Sequence, residues 1–375
     1  MLWLQLAALP LVLVTAISPI TTTSMPSTSA LTTSETLTTI VTTTVDYMNQ
    51  NCACTNASLF SDNERIAACR KDLLVDVIDT IINNTFEDRL VQLERAAFGY
   101  FYYGDVDCDV SVLPEGITHI VGNVNLESCT SLDTANLTIF STVRNISGEL
   151  SIKGNDALTT MDGFNELTAV GTYLQITDHD ALADLDGFGN FTRTEGKLYL
   201  KALGALTNID GFSSLTHVGD DFYIKDLDLL TDFSGFAELA YIGAKFEINS
   251  NDLLTTLGFT KLNHIGKSMT IQNHDELLNV DGLDGITTLG SDLTIKGNEK
   301  LANINDLGEL SEVYGNVEIK SNPELTDASS LSALNTVEDD VLICGNSGSL
   351  DTTSLGSTLA TVGSSRCIEI SCSSC

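Results

Sequence analysis

The sequence predicts an all-β fold, a parallel β-helix of about ten coils of about 24 residues, preceded by a short N-terminal α-helical cap. Three observations carry this. The stretch Gly148-Glu-Leu-Ser-Ile-Lys-Gly-Asn155 returns near Gly243–Asn251, Gly290–Asn298 and Gly315–Asn322. Its central apolar residue recurs as Leu126, Ile152, Ile176, Leu200, Ile224, Ile248, Ile271, Ile295, Ile319 and Ile343, and such a fixed period is the mark of stacked repeats. An apolar residue also stands two places before each centre, as in Leu150, Leu198, Phe222 and Leu293, the period-two pattern of a strand with one buried face.

The rest of each coil turns corners. Leu158, Leu182, Leu206 and their counterparts lie six places on, followed at steps of three by Met161, Phe164 and Leu167 and their equivalents. Asp-Gly pairs at 162–163, 186–187, 210–211 and 281–282 interrupt the series, which excludes a continuous helix. Three places after the centre stands Asn155, Asn251, Asn298, Asn322 or Asn346, a turn residue able to bond the neighbouring coil as a ladder. His179 and His274 take its place in two coils, read as turn substitutes rather than metal ligands, and Leu203 and Leu227 in two others. Ten coils at about 4.8 Å per strand make a rod of roughly 48 Å.

Elsewhere the chain changes character. Residues 1–16 are almost wholly apolar and end in Val14-Thr15-Ala16, a secretory signal pattern. Residues 17–46 form a Ser/Thr-rich stalk; sixteen of the 24 residues from Thr21 to Thr44 are Ser or Thr, too polar to build a core. Residues 47–107 are expected to be a Cys-containing helical cap, with Leu73, Leu74, Val77, Ile78, Ile81 and Ile82 at helical spacing and the aromatic run 98–103 as an apolar plug. The β-helix occupies 108–367, and 368–375 is a Cys-rich tail.

The nine cysteines fall in two groups that flank the array, which suggests disulfides at its ends; Cys108–Cys129 and Cys344–Cys367 are the favoured pairs. Sequons stand at Asn56, Asn83, Asn136, Asn145 and Asn190. The chain is therefore expected to be a secreted or cell-surface glycoprotein. A net charge of −33 makes nucleic acid and anionic lipid poor partners.

The coil pattern x-Leu-x-Ile-x-x-Asn-x-x-Leu-Thr-x-Leu-x-Gly-Phe-x-x-Leu-x-x-Val-Gly resembles the receptor L domain of insulin- and EGF-receptor ectodomains. It is similar also to the fungal GPI-anchored cell-wall proteins built from such repeats. The resemblance spans about residues 122–367 and implies a right-handed β-helix whose ligands dock on a sheet face. The sequence departs from it in having no kinase or Cys-rich receptor module, and in ending Ser-Cys-Ser-Ser-Cys where the fungal proteins carry an apolar tail. A leucine-rich repeat is the alternative solenoid, but it wants Leu five places before the centre, where this chain has Gly171, Gly219, Gly243, Gly266 and Gly290.

Function is sought on the outward strand positions. Lys153, Lys201, Lys225, Lys296 and Lys320 share one column, and Tyr199 and Tyr223 stand beside two of them. Aromatic rings among long polar side chains have the composition of recognition surfaces, so Tyr199, Lys201, Tyr223, Lys225 and Lys153 form the candidate ligand-binding face. The bland reading is that each lysine neutralises acidic turns such as Asp156, Asp228 and Glu299. Catalysis is not expected: the acidic clusters at Asp178–Asp186 and Asp226–Asp232 sit at recurring turn positions, and no nucleophile–base set is evident. No cofactor or metal is expected, with a weak calcium site at Asp105, Asp107 and Asp109 the strongest minor option. The expected role is non-catalytic recognition, adhesion or scaffolding for an extracellular protein or polysaccharide; a carbohydrate-active β-helix enzyme and a leucine-rich-repeat binding protein are the alternatives.

Overall fold

The computed structural model describes residues 100–130, 132–350 and 366–368, all within one compact unit, Glu94–Cys375. The signal peptide, the stalk, the helices of the cap, Asn56, Asn83 and the tail lie outside the described residues.

The array is a parallel β-helix. Each coil adds one strand to each of two sheets, and each sheet contains eleven parallel strands in simple coil order. The long-strand sheet is built from four-residue strands such as Leu150–Lys153, Leu198–Lys201, Phe222–Lys225 and Leu293–Lys296, and closes with Arg366–Ile368. The recurring Ile or Leu is the third residue of each of the ten strands from Val124–Glu127 to Val341–Cys344, so the period read from the sequence is the strand register itself. The short-strand sheet is made mostly of pairs such as Ala169–Val170, His217–Val218 and Tyr241–Ile242.

The run expected to plug the array is instead part of it. Phe101–Tyr103 forms the first strand of the short-strand sheet and pairs in parallel with His119–Val121. Phe101 and Tyr103 are exposed while Tyr102 packs against the core, because alternate residues of a strand face opposite sides. The solenoid thus begins before residue 108. Among the described residues the single α-helix is α1, Thr134–Leu137, capped reciprocally by Asp133 and Asn136.

Every inward position named above is buried. At the corner after the long strand, Phe140, Phe164, Phe188, Phe212, Phe236 and Phe259 stack on one another, successive ring centroids lying 5.1–5.9 Å apart. Beyond them Leu283, Leu307 and Leu331 continue the column. In four coils the Phe is preceded by glycine within a 3₁₀ turn, Asp162–Phe164, Asp186–Phe188, Asp210–Phe212 and Ser234–Phe236. A Cβ at Gly187 would overlap the Met161 carbonyl of the coil below, and the equivalent glycines meet the same obstacle. The glycines five places before the centre have the same cause: a Cβ at Gly243 would overlap the Gly219 carbonyl, and one at Gly266 that of Gly243. Backbone approach between coils, rather than a leucine pocket, occupies this position. The one 23-residue step has its own device, since the corner there is Leu257-Gly258-Phe259 with Gly258 at φ +73° in place of the 3₁₀ turn.

Two places after the centre every coil adopts a left-handed residue. Gly154, Gly297 and Gly345 do so freely, whereas Ser128, Asp178, Ala202, Asp226, Ser250, Asn273 and Ser321 hold φ between 52° and 61°. This bend turns the next residue inward, where the expected ladder forms. Asn155 donates from Nδ2 to the Leu126 carbonyl (2.7 Å) and accepts the Cys129 N–H (2.8 Å). Asn298, Asn322 and Asn346 repeat the pattern, each Nδ2 bonding the central carbonyl one coil below, at Ile271, Ile295 and Ile319. His179 copies it with a ring: Nδ1 accepts the Asn155 N–H at 3.2 Å and Nε2 lies 3.1 Å from the Ile152 carbonyl. His274 places Nδ1 3.2 Å from the Asn251 nitrogen. Both histidines are fully buried, serving the turn as expected.

Candidate functional site

The candidate face is the outer side of the long-strand sheet across Leu198–Lys201, Phe222–Lys225 and Phe246–Asn249. In-register pairing sets Tyr199 beside Tyr223 and Lys201 beside Lys225. The two tyrosine rings stack with centroids 4.6 Å apart and planes at 15°. Both are partly exposed, as a recognition role requires. The stacking follows from the fold, because identical outward positions repeat at the strand spacing and flat rings there pack face to face. Each ring therefore presents its edge and hydroxyl to solvent. Burial, with Glu247 and Tyr199 beside it, pushes the Tyr223 hydroxyl up to about 12, so it stays protonated across the physiological range.

Next to the pair is a shallow depression of about 150 Å³ lined by Lys197, Tyr199, Asp221, Phe222, Tyr223, Lys245 and Glu247. Lys197 bridges Asp221 at 3.0 Å, and the Lys245 N–H donates to the other carboxylate oxygen at 3.2 Å. Burial would raise the Asp221 carboxyl, but these two partners outweigh it and hold it below its ordinary value. Glu247 differs. It is half-buried, burial raises its carboxyl despite Lys245 and Lys225 nearby, and among the described residues nothing donates a hydrogen bond or ion pair to it.

The lysine column divides. Lys225 lies 3.9 Å from Asp226, and Lys320 pairs with Glu318 on its own strand. Lys153, Lys201 and Lys296 have no carboxylate within ion-pair distance among the described residues, so neutralisation of acidic turns accounts for only part of the column. None of the expected partners Asp156, Asp228 and Glu299 is used. Ser151, placed outward by the alternation, is buried, its hydroxyl donating to Glu127 at 3.0 Å. Lys153 at the far end is exposed but two strands from Tyr199, with Thr177 between.

A second aromatic ladder was hidden in the sequence. His217, Tyr241 and His264 occupy one outward position of the short-strand sheet and stack with centroids 4.5 Å apart at both steps. All three stand seven places before a central Ile, so the coil alignment puts them in one column, but that the column faces outward on a second sheet is seen only in the structure. Tyr241 separates the two imidazoles, which therefore cannot share an ion.

Asp105, Asp107 and Asp109 are spent on local hydrogen bonds, to the Asn123 N–H, the Asp109 N–H and the Ser111 hydroxyl. Among the described residues no group of three or more His, Cys, Asp or Glu is placed to hold a metal. The Cys108–Cys129 disulfide is present. Cys344 is also disulfide-bonded, and its favoured partner Cys367 lies on the last strand, whose side chains fall outside the description. Of the described sequons, Asn136 and Asn190 are exposed and Asn145 is on a short strand, and none of these three is on the long-strand sheet. No helix among the described residues is long and apolar enough to cross a membrane. No protein-family model and no curated protein matches the chain.

Proposed function

We propose that this chain is an exported, non-catalytic recognition module, of the receptor-L-domain type its coils resemble, acting at the cell exterior through the outer face of the long-strand sheet around Tyr199 and Tyr223. The observation that carries the reading is the partly exposed, stacked tyrosine pair with its adjoining depression. Aromatic surface held rigid by stacking loses little conformational entropy on binding, which is what an anchor at an interface needs. The free lysines Lys201 and Lys153 extend the face along the axis. The described sequons Asn136, Asn145 and Asn190 lie off this sheet, so glycans there would shield other sides of the solenoid.

The test is a capture experiment with the secreted protein against extracellular protein and polysaccharide fractions. The double variant Tyr223→Ala with Lys225→Glu is expected to lose the captured partner while unfolding at the same temperature as the parent. Unchanged capture from every fraction would remove the face from consideration.

A further inference from the structure

We infer that the depression beside Tyr223 receives a basic side chain, an arginine above all, of a protein partner, with Glu247 as the counter-charge. The inference rests on the proposed binding face and names what that face recognises.

Three observations decide the class of ligand. The first is ring geometry. Tyr199 and Tyr223 face one another at 4.6 Å, which closes their inner faces and leaves beside the depression the single Tyr223 face turned toward Glu247, enough for one small planar group rather than a run of sugar rings. The second is size. Pockets for small molecules run from about 300 to 1,000 Å³, and about 150 Å³ accepts a single side chain rather than an oligosaccharide. The third is unmet charge. Glu247 is in register with Tyr223, half-buried and unpaired, whereas Asp221 is already held by Lys197 and the Lys245 N–H. A half-buried carboxylate without a donor is costly, while an unpaired lysine that reaches solvent is not. The site's demand is therefore for a cation, although lysines surround it.

The field of the whole molecule agrees, since a net charge of −33 draws basic partners inward and repels acidic polymers. A guanidinium fits better than an ammonium. Its planar fork can take both carboxylate oxygens, and its flat face can lie against the side of the Tyr223 ring turned toward Glu247.

The experiment uses the full secreted protein and a fluorescent peptide carrying two arginines, with an arginine-to-glutamate twin and a neutral glucan oligosaccharide as comparison probes, in about 0.15 M salt so that distant charges are screened. Glu247→Gln and Tyr223→Ala are each expected to weaken the arginine peptide at least about tenfold, the loss of one good contact. Asp186→Asn, which removes the same charge at a distant corner, is expected to change it by less than about twofold. Equal weakening by Glu247→Gln and Asp186→Asn would overturn the inference, because the attraction would then belong to the net charge. Binding of the glucan or the glutamate twin in place of the arginine peptide would overturn it as well. If Tyr223→Ala with Lys225→Glu abolishes capture from an extracellular fraction and Glu247→Gln leaves it intact, the face stands and the arginine reading falls.

Discussion

Coils four and five and coils eight to ten solve the same packing problem with opposite chemistry. In coils four and five the ladder position holds Leu203 and Leu227 and the corner holds Phe212 and Phe236, so these coils are joined by apolar contact and stacked rings. In coils eight to ten the ladder position holds Asn298, Asn322 and Asn346, and the described corners hold Leu307 and Leu331, so cohesion passes through side-chain amides. The candidate face sits on the first pair. A parallel β-helix can therefore trade a polar spine for an aromatic one without changing its register.

This contrast can be broken in measurable ways. The largest effect is expected from Phe212→Ala, which removes the ring between Phe188 and Phe236 and should cost about 4 kcal/mol of unfolding free energy in chemical denaturation. Leu307→Ala, at the same corner of a coil with an intact asparagine, should cost less, about 3 kcal/mol.

Acid should act on the polar spine through one buried imidazole. Burial pushes His274 from 6.5 down to about 4, against the opposing pull of the neighbouring Asn251 and Ile248 backbone groups and Asp275. Because the folded value lies below the unfolded one, its contribution is intact above pH 6.5 and is lost as pH falls toward 4. The loss should approach roughly 3 kcal/mol. Carboxyls whose affinity for protons is raised, such as Asp186 through burial and its Asp184, Asp210 and Asp162 neighbours, pull the opposite way. His274→Asn, which restores the usual ladder residue, isolates the term: the stability of the parent minus that of the variant should fall as pH is lowered from 7 to 4.5. A constant difference would show that the imidazole does not titrate with folding.

Next in size is Asn298→Ala, which strands the buried His274 N–H and Ile271 carbonyl and should cost about 2 kcal/mol. The smallest change has the opposite sign. Ala202 occupies the left-handed bend at φ 52° without a side chain that could bond locally, so Ala202→Gly should stabilise by about 1 kcal/mol, read as a higher denaturation midpoint.

The fold was legible because the solenoid writes each structural decision ten times. Buried columns and the asparagine ladder could be read by aligning coils on the central Ile, and the Cys108–Cys129 bridge from the grouping of cysteines at the ends of the array. What escaped were features that need the third dimension. The left-handed bend was obscure because its residue varies among Gly, Ser, Asp, Asn and Ala, the conformation being enforced by the turn rather than by composition. His217 and His264 share one position in the coil alignment, with Tyr241 between them, but the sequence does not show that this position lies outward on a second sheet, where the three rings stack. Phe101–Tyr103 looked like a plug because three aromatics in a row mask the alternation by which Tyr102 points in and its neighbours out. Tyr199, Tyr223, Lys201 and Lys225 were visible as outward residues, but the isolation of Glu247 was not, since it depends on the Lys197 ammonium pairing with Asp221 and on no other donor reaching Glu247 among the described residues.

The simple order of strands in both sheets also has a mechanical side. The strands are stacked along one direction, so the interstrand hydrogen bonds of both sheets lie along that one axis, with donors facing both ways. Tension applied in that direction meets the coils one at a time and can peel them in sequence. Tension applied along the strands must slide whole strands past their neighbours and meets all the bonds of a strand together. The same chain would therefore yield softly to one pull and stiffly to the other, and the direction of its attachment would set how much force a partner held by Tyr199 and Tyr223 could withstand.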